Sequence, residues 1–213
     1  MRHNSIIVPE GLPCIVPLAV AAVASLFFQA YVPAVFFLLA FLFVLNFFRN
    51  PERSFRGEAG AVLSPADGKV IRIDENASHE LLTESYRKIS IFMNVFNVHV
   101  NRIPCSGIVE TIRYREGKFL SADKDAASEL NEMNAVLIRA DGEKKVLTVQ
   151  VAGLIARRIV CWLTEGMEVH QGERFGMIRF GSRLDVFLPR DARVSVKIGD
   201  KVRAGETTIG RLP

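Results

Sequence analysis

From Cys14 to Phe48 the chain carries no charged residue, and apart from Tyr31 its only polar side chains there are Ser25, Gln29 and Asn46. Eight of the 15 Phe fall between Phe27 and Phe48. A run of about 35 residues is too long for one membrane span, since about 20 residues cross the hydrocarbon core. It divides near Gln29-Ala30-Tyr31-Val32-Pro33, into Cys14–Phe28 and Pro33–Phe48. Each half is slightly short for a full span. The pattern predicts a helical hairpin that crosses twice, or dips in and returns; the other readings are one long tilted helix or a signal peptide. A signal peptide is disfavoured, because the apolar stretch is too long and no small-residue cleavage site follows it. Arg2 precedes the run, and Arg49, Arg53 and Arg56 follow it. Basic residues on both flanks place both ends in the cytoplasm.

The rest of the chain is of another kind. The 213 residues carry a net charge of +4, with 49% apolar and 23% charged residues. The mean hydropathy of +0.21 owes its height to the N-terminal run. A boundary near residue 50 leaves about 160 residues, one domain of ordinary size. The division is therefore 1–50, membrane-associated, and 51–213, a folded domain. Cys14, Cys105 and Cys161 are odd in number and form no CxxC pair, so a disulfide framework or zinc site is not expected and a reducing compartment fits. The four histidines form neither HxH nor HExxH, and no metal is expected.

Beyond the boundary the period is mostly two, the signature of strands. Ala61–Leu63, Lys69–Ile73, Lys88–Val100, Gly107–Tyr114, Ala135–Ala140 and Lys145–Ala152 fit this pattern, with Asp141-Gly142 as a hairpin signal between the last two. Phe119 to Asn131 has the composition of a loop with a helical turn. Near the C-terminus the chain echoes itself. Val169-His-Gln-Gly172-Glu173 is matched by Val202-Arg-Ala-Gly205-Glu206, and glycine turns at Gly166 and Gly199 precede them. Short strands between tight glycine turns predict a mainly β fold that resembles the barrel-sandwich hybrid of lipoyl and biotinyl carriers.

Three short segments can carry chemistry. Gly181-Ser182 is the only Gly-Ser pair in the chain. A serine after glycine can attack its own preceding carbonyl, because glycine offers no Cβ to obstruct the approach. Elimination from the ester leaves a pyruvoyl group. Most Gly-Ser pairs are simply turns. In Asn97-Val98-His99-Val100-Asn101, alternation puts His99 on a polar strand face between two asparagines, as a surface residue or a general acid or base. Asp67, in Pro65-Ala66-Asp67-Gly68, is either a turn residue or the partner that orients a histidine.

Taken in order, Ser64-Pro-Ala-Asp67-Gly-Lys, Phe96-Asn-Val-His99-Val-Asn-Arg102-Ile-Pro104, Phe180-Gly181-Ser182-Arg183 and Val196-Lys-Ile-Gly-Asp-Lys-Val-Arg-Ala-Gly-Glu resemble phosphatidylserine decarboxylase proenzymes of the short bacterial type. The resemblance runs from about residue 50 to the C-terminus, and the apolar leader fits it. It implies cleavage between Gly181 and Ser182 into a β subunit, 1–181, and an α subunit, 182–213, with Ser182 becoming the covalent pyruvoyl cofactor. It implies catalytic roles for Ser182, His99 and Asp67, and decarboxylation of phosphatidylserine to phosphatidylethanolamine through a Schiff base to that group. It implies a cell-membrane enzyme with its catalytic domain facing the cytoplasm, acting on a serine phospholipid and on no nucleic acid, with a homo-oligomer left open. The sequence departs from longer members at two places. Arg102 stands where they carry a second histidine, and Arg183 stands where they carry threonine.

The alternative is a membrane-anchored carrier without catalysis. A carrier needs a lysine at a hairpin tip; Lys201 lies in such a turn without the flanking methionines, and Lys69 follows one. Arg49, Arg53 and Arg56 serve either topology or attraction of anionic headgroups. Trp162, Cys161 and Met167 read as packing, Arg157-Arg158 as a solvated edge, His79 and His170 as exposed, and Asp123, Asp125 and Glu129 as an acidic patch without a role.

Overall fold

The computed structural model describes residues 5–54, 60–118, 130–153, 158–179 and 181–213. Arg56, the acidic patch at 123–129, Arg157, Phe180 and most of the expected loop at 119–131 lie outside them. The chain divides into two compact units, 1–52 and 53–213.

The first unit is a helical pair. A 3-10 turn, Pro9–Gly11, leads into α1, Leu12–Phe27; α2 spans Tyr31–Phe47. The break is where the sequence places it, at Gln29, which takes φ 54°. Pro33 does not start α2 but sits in its first turn, where no helical N–H is owed. The stretch Pro9–Phe27 is long and apolar enough to cross a membrane, and α2 is shorter. The hairpin is closed at its open end. Ile7 bridges Arg49, and Val8 N–H donates to Phe48 O at 3.0 Å. Gly11 is required there, since a Cβ would stand 2.5 Å from the Phe48 ring. Outward the pair is apolar, with Phe27, Phe28 and Val32 each more than three-quarters exposed. Such a surface has no partner in water.

The second unit is mainly β. Its strands are β1 Ala61–Leu63, β2 Gly68–Ala77, β3 Tyr86–Met93, β4 Val100–Arg102, β5 Gly107–Arg115, β6 Met133–Arg139 and β7 Lys145–Ala152. They continue with β8 Ile159–Cys161, β9 Glu168–Val169, β10 Arg174–Ile178, β11 Ser182–Leu188, β12 Arg193–Val194, β13 Lys201–Val202 and β14 Thr208–Arg211. Eight form one sheet in the order β13-β2-β3-β11-β7-β6-β5-β9, curled into a half-barrel. Two three-stranded sheets, β1-β14-β12 and β4-β10-β8, account for the remaining strands of the described residues.

The strand β11 lies at the centre of the large sheet. It pairs antiparallel with β3 on one side and β7 on the other, and every one of its residues is buried. Leu184, Val186 and Leu188 enter the main core, while Phe187, on the opposite face, joins a second cluster with Leu147, Val149 and Val151. A strand covered on both faces reads as a continuous apolar run. Ser182, Arg183 and Asp185 interrupt that run.

The repeated sequence is a repeated structure at the two edges of this sheet. Val202 pairs with Gly68 at one edge, and Val169 pairs with Gly107 at the other. Gly172 and Gly205 both take left-handed φ, 81° and 72°. Arg102 lies between the two turns. It donates to Gly172 O at 2.7 Å, and its Cδ packs where a Cβ on Gly205 would stand 2.6 Å away.

One expected strand is corrected. Lys88–Val100 is not continuous: β3 ends at Met93, and β4 begins at Val100. Asn94 and Asn97 break it with their side chains. Asn94 Oδ1 accepts from Phe96 N–H and Asn97 Oδ1 accepts from Asn94 N–H, each at 2.9 Å. Asparagine competes with sheet pairing in this way.

Candidate active site

The Gly181-Ser182 peptide stands at the entrance to β11. Gly181 has φ 65°, and a Cβ built on it would meet nothing within 4 Å. Left-handed backbone rather than crowding is what selects glycine there. Ser182 is fully buried, and its backbone is set between Met93 and Ala152. Its hydroxyl donates to Met93 Sδ at 3.4 Å, a weak acceptor that leaves the oxygen lone pairs uncommitted. Asn101 Nδ2 reaches the same sulfur at 3.9 Å. A buried polar ladder continues from there. Gln150 Nε2 donates to Asn101 Oδ1, and Asn134 Nδ2 to Gln150 Oε1, both at 2.9 Å.

Asp67 is the hub of a second group. Arg53 grips it with both nitrogens, Nη1 to Oδ1 at 2.5 Å and Nη2 to Oδ2 at 2.9 Å. Ala204 N–H donates to Oδ1 at 2.8 Å, and Val98 N–H also donates to the carboxylate. Burial pushes the carboxyl up, but the Arg53 bonds and charge, followed by the two backbone donors, hold it below the usual 3.8. The side chains of Arg53 and Asp67 are only 7% and 12% exposed, so solvent screens the pair little.

His99 follows Val98 directly, and it is buried, not on an exposed polar face. Its Nδ1 lies 3.0 Å from Asn97 O. A carbonyl only accepts, so Nδ1 carries the proton and Nε2 is the basic nitrogen of the neutral ring. The segment 98–101 thus links the three residues singled out in the sequence. Val98 is held by Asp67, His99 follows it, and Asn101 shares the Met93 sulfur with Ser182.

Comparison with known proteins gives the same direction. The family model for phosphatidylserine decarboxylase matches residues 40–210. A phosphatidylserine decarboxylase proenzyme of Syntrophus aciditrophicus is 54% identical over 212 residues, covering 99% of both chains. Proenzymes of the same name from Desulfotalea psychrophila and Geobacter metallireducens are each 48% identical, covering 95% and 100% of both chains. The chain belongs to the phosphatidylserine decarboxylase family. It is accordingly an enzyme of a decarboxylase family, and the carrier reading is set aside. Lys201 in any case heads no hairpin: it lies in edge strand β13, in register with Lys69.

Within this family framework, two residues gain a place that the sequence reading missed. Arg53 is not a headgroup ligand, because its guanidinium is buried on Asp67 and also donates to Ala204 O at 2.7 Å. Arg183 forms a buried pair with Asp185, Nε to Oδ1 at 2.9 Å and Nη2 to Oδ2 at 3.0 Å. Opposite charges two apart on an apolar strand point to one face, and that spacing was the available signal. Arg102, at the second histidine position of longer members, is occupied with Gly172. His79 is half-buried and lies edge-on to Phe187 at 5.6 Å, while His170 is exposed. No group of three His, Cys, Asp or Glu able to hold a metal occurs among the described residues.

The depressed Asp67 carboxyl has a thermodynamic consequence. The folded state binds this proton less readily than the unfolded chain, so the stabilisation is complete above the ordinary aspartate range. It is lost as pH falls through the depressed value. Melting temperature measured against pH should therefore fall on the acid side, and Asp67→Asn should flatten that limb. An unchanged limb in the variant would show that the Asp67 pair contributes nothing to acid stability.

Proposed function

We propose that the chain is the precursor of a pyruvoyl-dependent enzyme that converts phosphatidylserine to phosphatidylethanolamine at the cytoplasmic face of the cell membrane. The observation that carries this is the link from Asp67 through Val98, His99 and Asn101 to the Met93 sulfur that holds Ser182. Ser182 Oγ attacks the Gly181 carbonyl carbon, and the C–N bond breaks as an ester forms. His99 Nε2 is the proposed acceptor of the hydroxyl proton. Loss of the Ser182 α-hydrogen then breaks the Cβ–Oγ bond and frees the Gly181 carboxylate. Addition of one water and release of ammonia leave a pyruvoyl group at residue 182. The left-handed Gly181 and the buried, extended Ser182 fit that group. The pyruvoyl carbonyl supplies an electrophile that captures the substrate amine and draws off the electrons released with CO2.

The chain's own residues do the rest. Burial keeps bulk solvent off Ser182, so that hydrolysis draws on a single admitted water. His99 returns a proton to the carbon that has lost CO2. The smaller piece, 182–213, keeps β11 inserted between β3 and β7 of the larger one, so the two stay joined after cleavage. The apolar helical pair, 1–50, keeps the domain at the bilayer, where the acyl chains of the substrate remain.

The test is release of labelled CO2 from vesicles of phosphatidylserine labelled in the serine carboxyl. Serine lipids on ether backbones and free serine serve as comparison substrates. Release from a serine lipid with an ethanolamine lipid as product is expected. A correctly cleaved protein that releases no CO2 from any serine lipid would overturn the assignment.

A further inference from the structure

The two edge turns of the large sheet solve the same local problem with different residues. In one, Gln171 N–H donates to Ser106 Oγ at 2.9 Å. In the other, Ala204 N–H, at the matching place in the repeat, donates to Asp67 Oδ1 at 2.8 Å. Ser106 precedes Gly107 as Asp67 precedes Gly68, and each glycine pairs with the valine of its own turn. A hydroxyl therefore suffices to cap this turn. The carboxylate at Asp67 is more than the turn requires.

The surplus goes to two partners. Both oxygens take Arg53, and the carboxylate also takes Val98 N–H, one residue before His99. Arg53 in turn donates to Ala204 O, so acid and base together hold both backbone groups of Ala204. Ala204 belongs to the smaller piece of the proposed cleavage, and Arg53, Asp67 and Val98 to the larger. The charged groups facing the carboxylate are Arg53 itself and, beyond it, Glu206; His99 stands on the neighbouring segment. A bidentate guanidinium fixes the plane of a carboxylate as well as its charge, which an ammonium does not.

We propose that Arg53 is a positioning residue for self-cleavage: its guanidinium fixes the Asp67 carboxylate against Ala204 and Val98, and so sets the segment that carries His99 beside Ser182. This rests on the self-cleaving reading above. Arg53 touches no reacting atom, and its effect passes through Asp67.

The test follows cleavage of freshly synthesised full-length chain by denaturing gel and mass, across pH, with thermal unfolding as the fold control. Wild type and Ser182→Ala establish the reading on their own: if wild type does not cleave, the proposed function fails, whatever Arg53 does. Given a cleaving wild type, Arg53→Ala should slow cleavage at neutral pH by at least about tenfold, a part of the roughly 10²–10⁴-fold that a well-placed acid or base contributes. Its acid limb should move to higher pH, because Asp67 loses the cation that keeps it ionised. Guanidinium at tens of millimolar should restore part of the rate. Arg53→Lys should cleave faster than Arg53→Ala, with its acid limb between that variant and wild type. Asp67→Ser, the residue type of the sister turn, should fold and fail to cleave. Cleavage of Arg53→Ala at the wild-type rate and pH profile overturns the proposal. So does a slowed rate with an unmoved acid limb, no response to guanidinium and no gain from lysine. If Arg53→Ala does not fold, the Arg53→Lys acid limb decides, and its coincidence with wild type overturns the proposal.

Discussion

A chain carrying Ser182→Ala is expected to remain one polypeptide and to release no CO2 from serine lipids. Alanine lacks the oxygen that attacks Gly181 in the proposed self-cleavage, so neither that cleavage nor the proposed pyruvoyl group can arise. The expected loss is the whole catalysed rate, at least roughly a millionfold for an enzyme. The fold should tolerate the change. The hydroxyl donates only to the Met93 thioether, and the strand pairings of residue 182 on both sides are backbone bonds that alanine keeps. The stability cost should be about 1 kcal/mol or less, since only a weak hydrogen bond is lost. Denaturing gels, CO2 release and thermal unfolding together check this. An intact, well-folded, inactive variant is the expected outcome. A cleaved or active Ser182→Ala protein would remove Ser182 from its role.

Arg183→Ala should have the largest effect on stability. Arg183 and Asp185 face each other from the same side of β11, and each side chain is only 4% exposed. Removing the arginine leaves a buried carboxylate without its cation, which costs about 3–5 kcal/mol. A domain with a total stability of roughly 5–15 kcal/mol loses a large share of it. Replacing the pair together, Arg183→Met with Asp185→Leu, should recover most of the loss, because no charge is then stranded. Chemical denaturation of the two variants beside wild type checks both. Arg183→Ala unfolding at the wild-type denaturant concentration would show that the pair does not brace the strand. Arg183, where longer members carry threonine, therefore has a physical reason on this fold: it anchors the strand that begins at Ser182.

Much of this architecture is legible in the residues. An uncharged run of that length, interrupted at Gln29, favours a helical pair over one long tilted helix or a signal peptide, and Gln29 takes the left-handed φ that turns the chain. The Val-x-x-Gly-Glu echo announced two equivalent turns, which lie at opposite edges of one sheet. Other features were hidden for identifiable reasons. Alternation through Asn97, His99 and Asn101 looks like a strand, yet Asn94 and Asn97 spend their side chains on a turn, and His99 is buried beyond it. Arg53 beside an apolar run looks the same in sequence whether it meets headgroups or a carboxylate. Only folding brings it to Asp67, 14 positions away. The buried ladder Asn101–Gln150–Asn134 joins three strands, and no local spacing announces it.

The central claim is that this chain cuts itself between Gly181 and Ser182. The mass of each polypeptide in the purified protein, measured under denaturing conditions, tests it most directly. Two pieces are expected, residues 1–181 and residues 182–213, the shorter with a pyruvoyl group in place of a free amino terminus. A single intact chain of 213 residues, or a short piece that begins with an unmodified serine, would contradict the account.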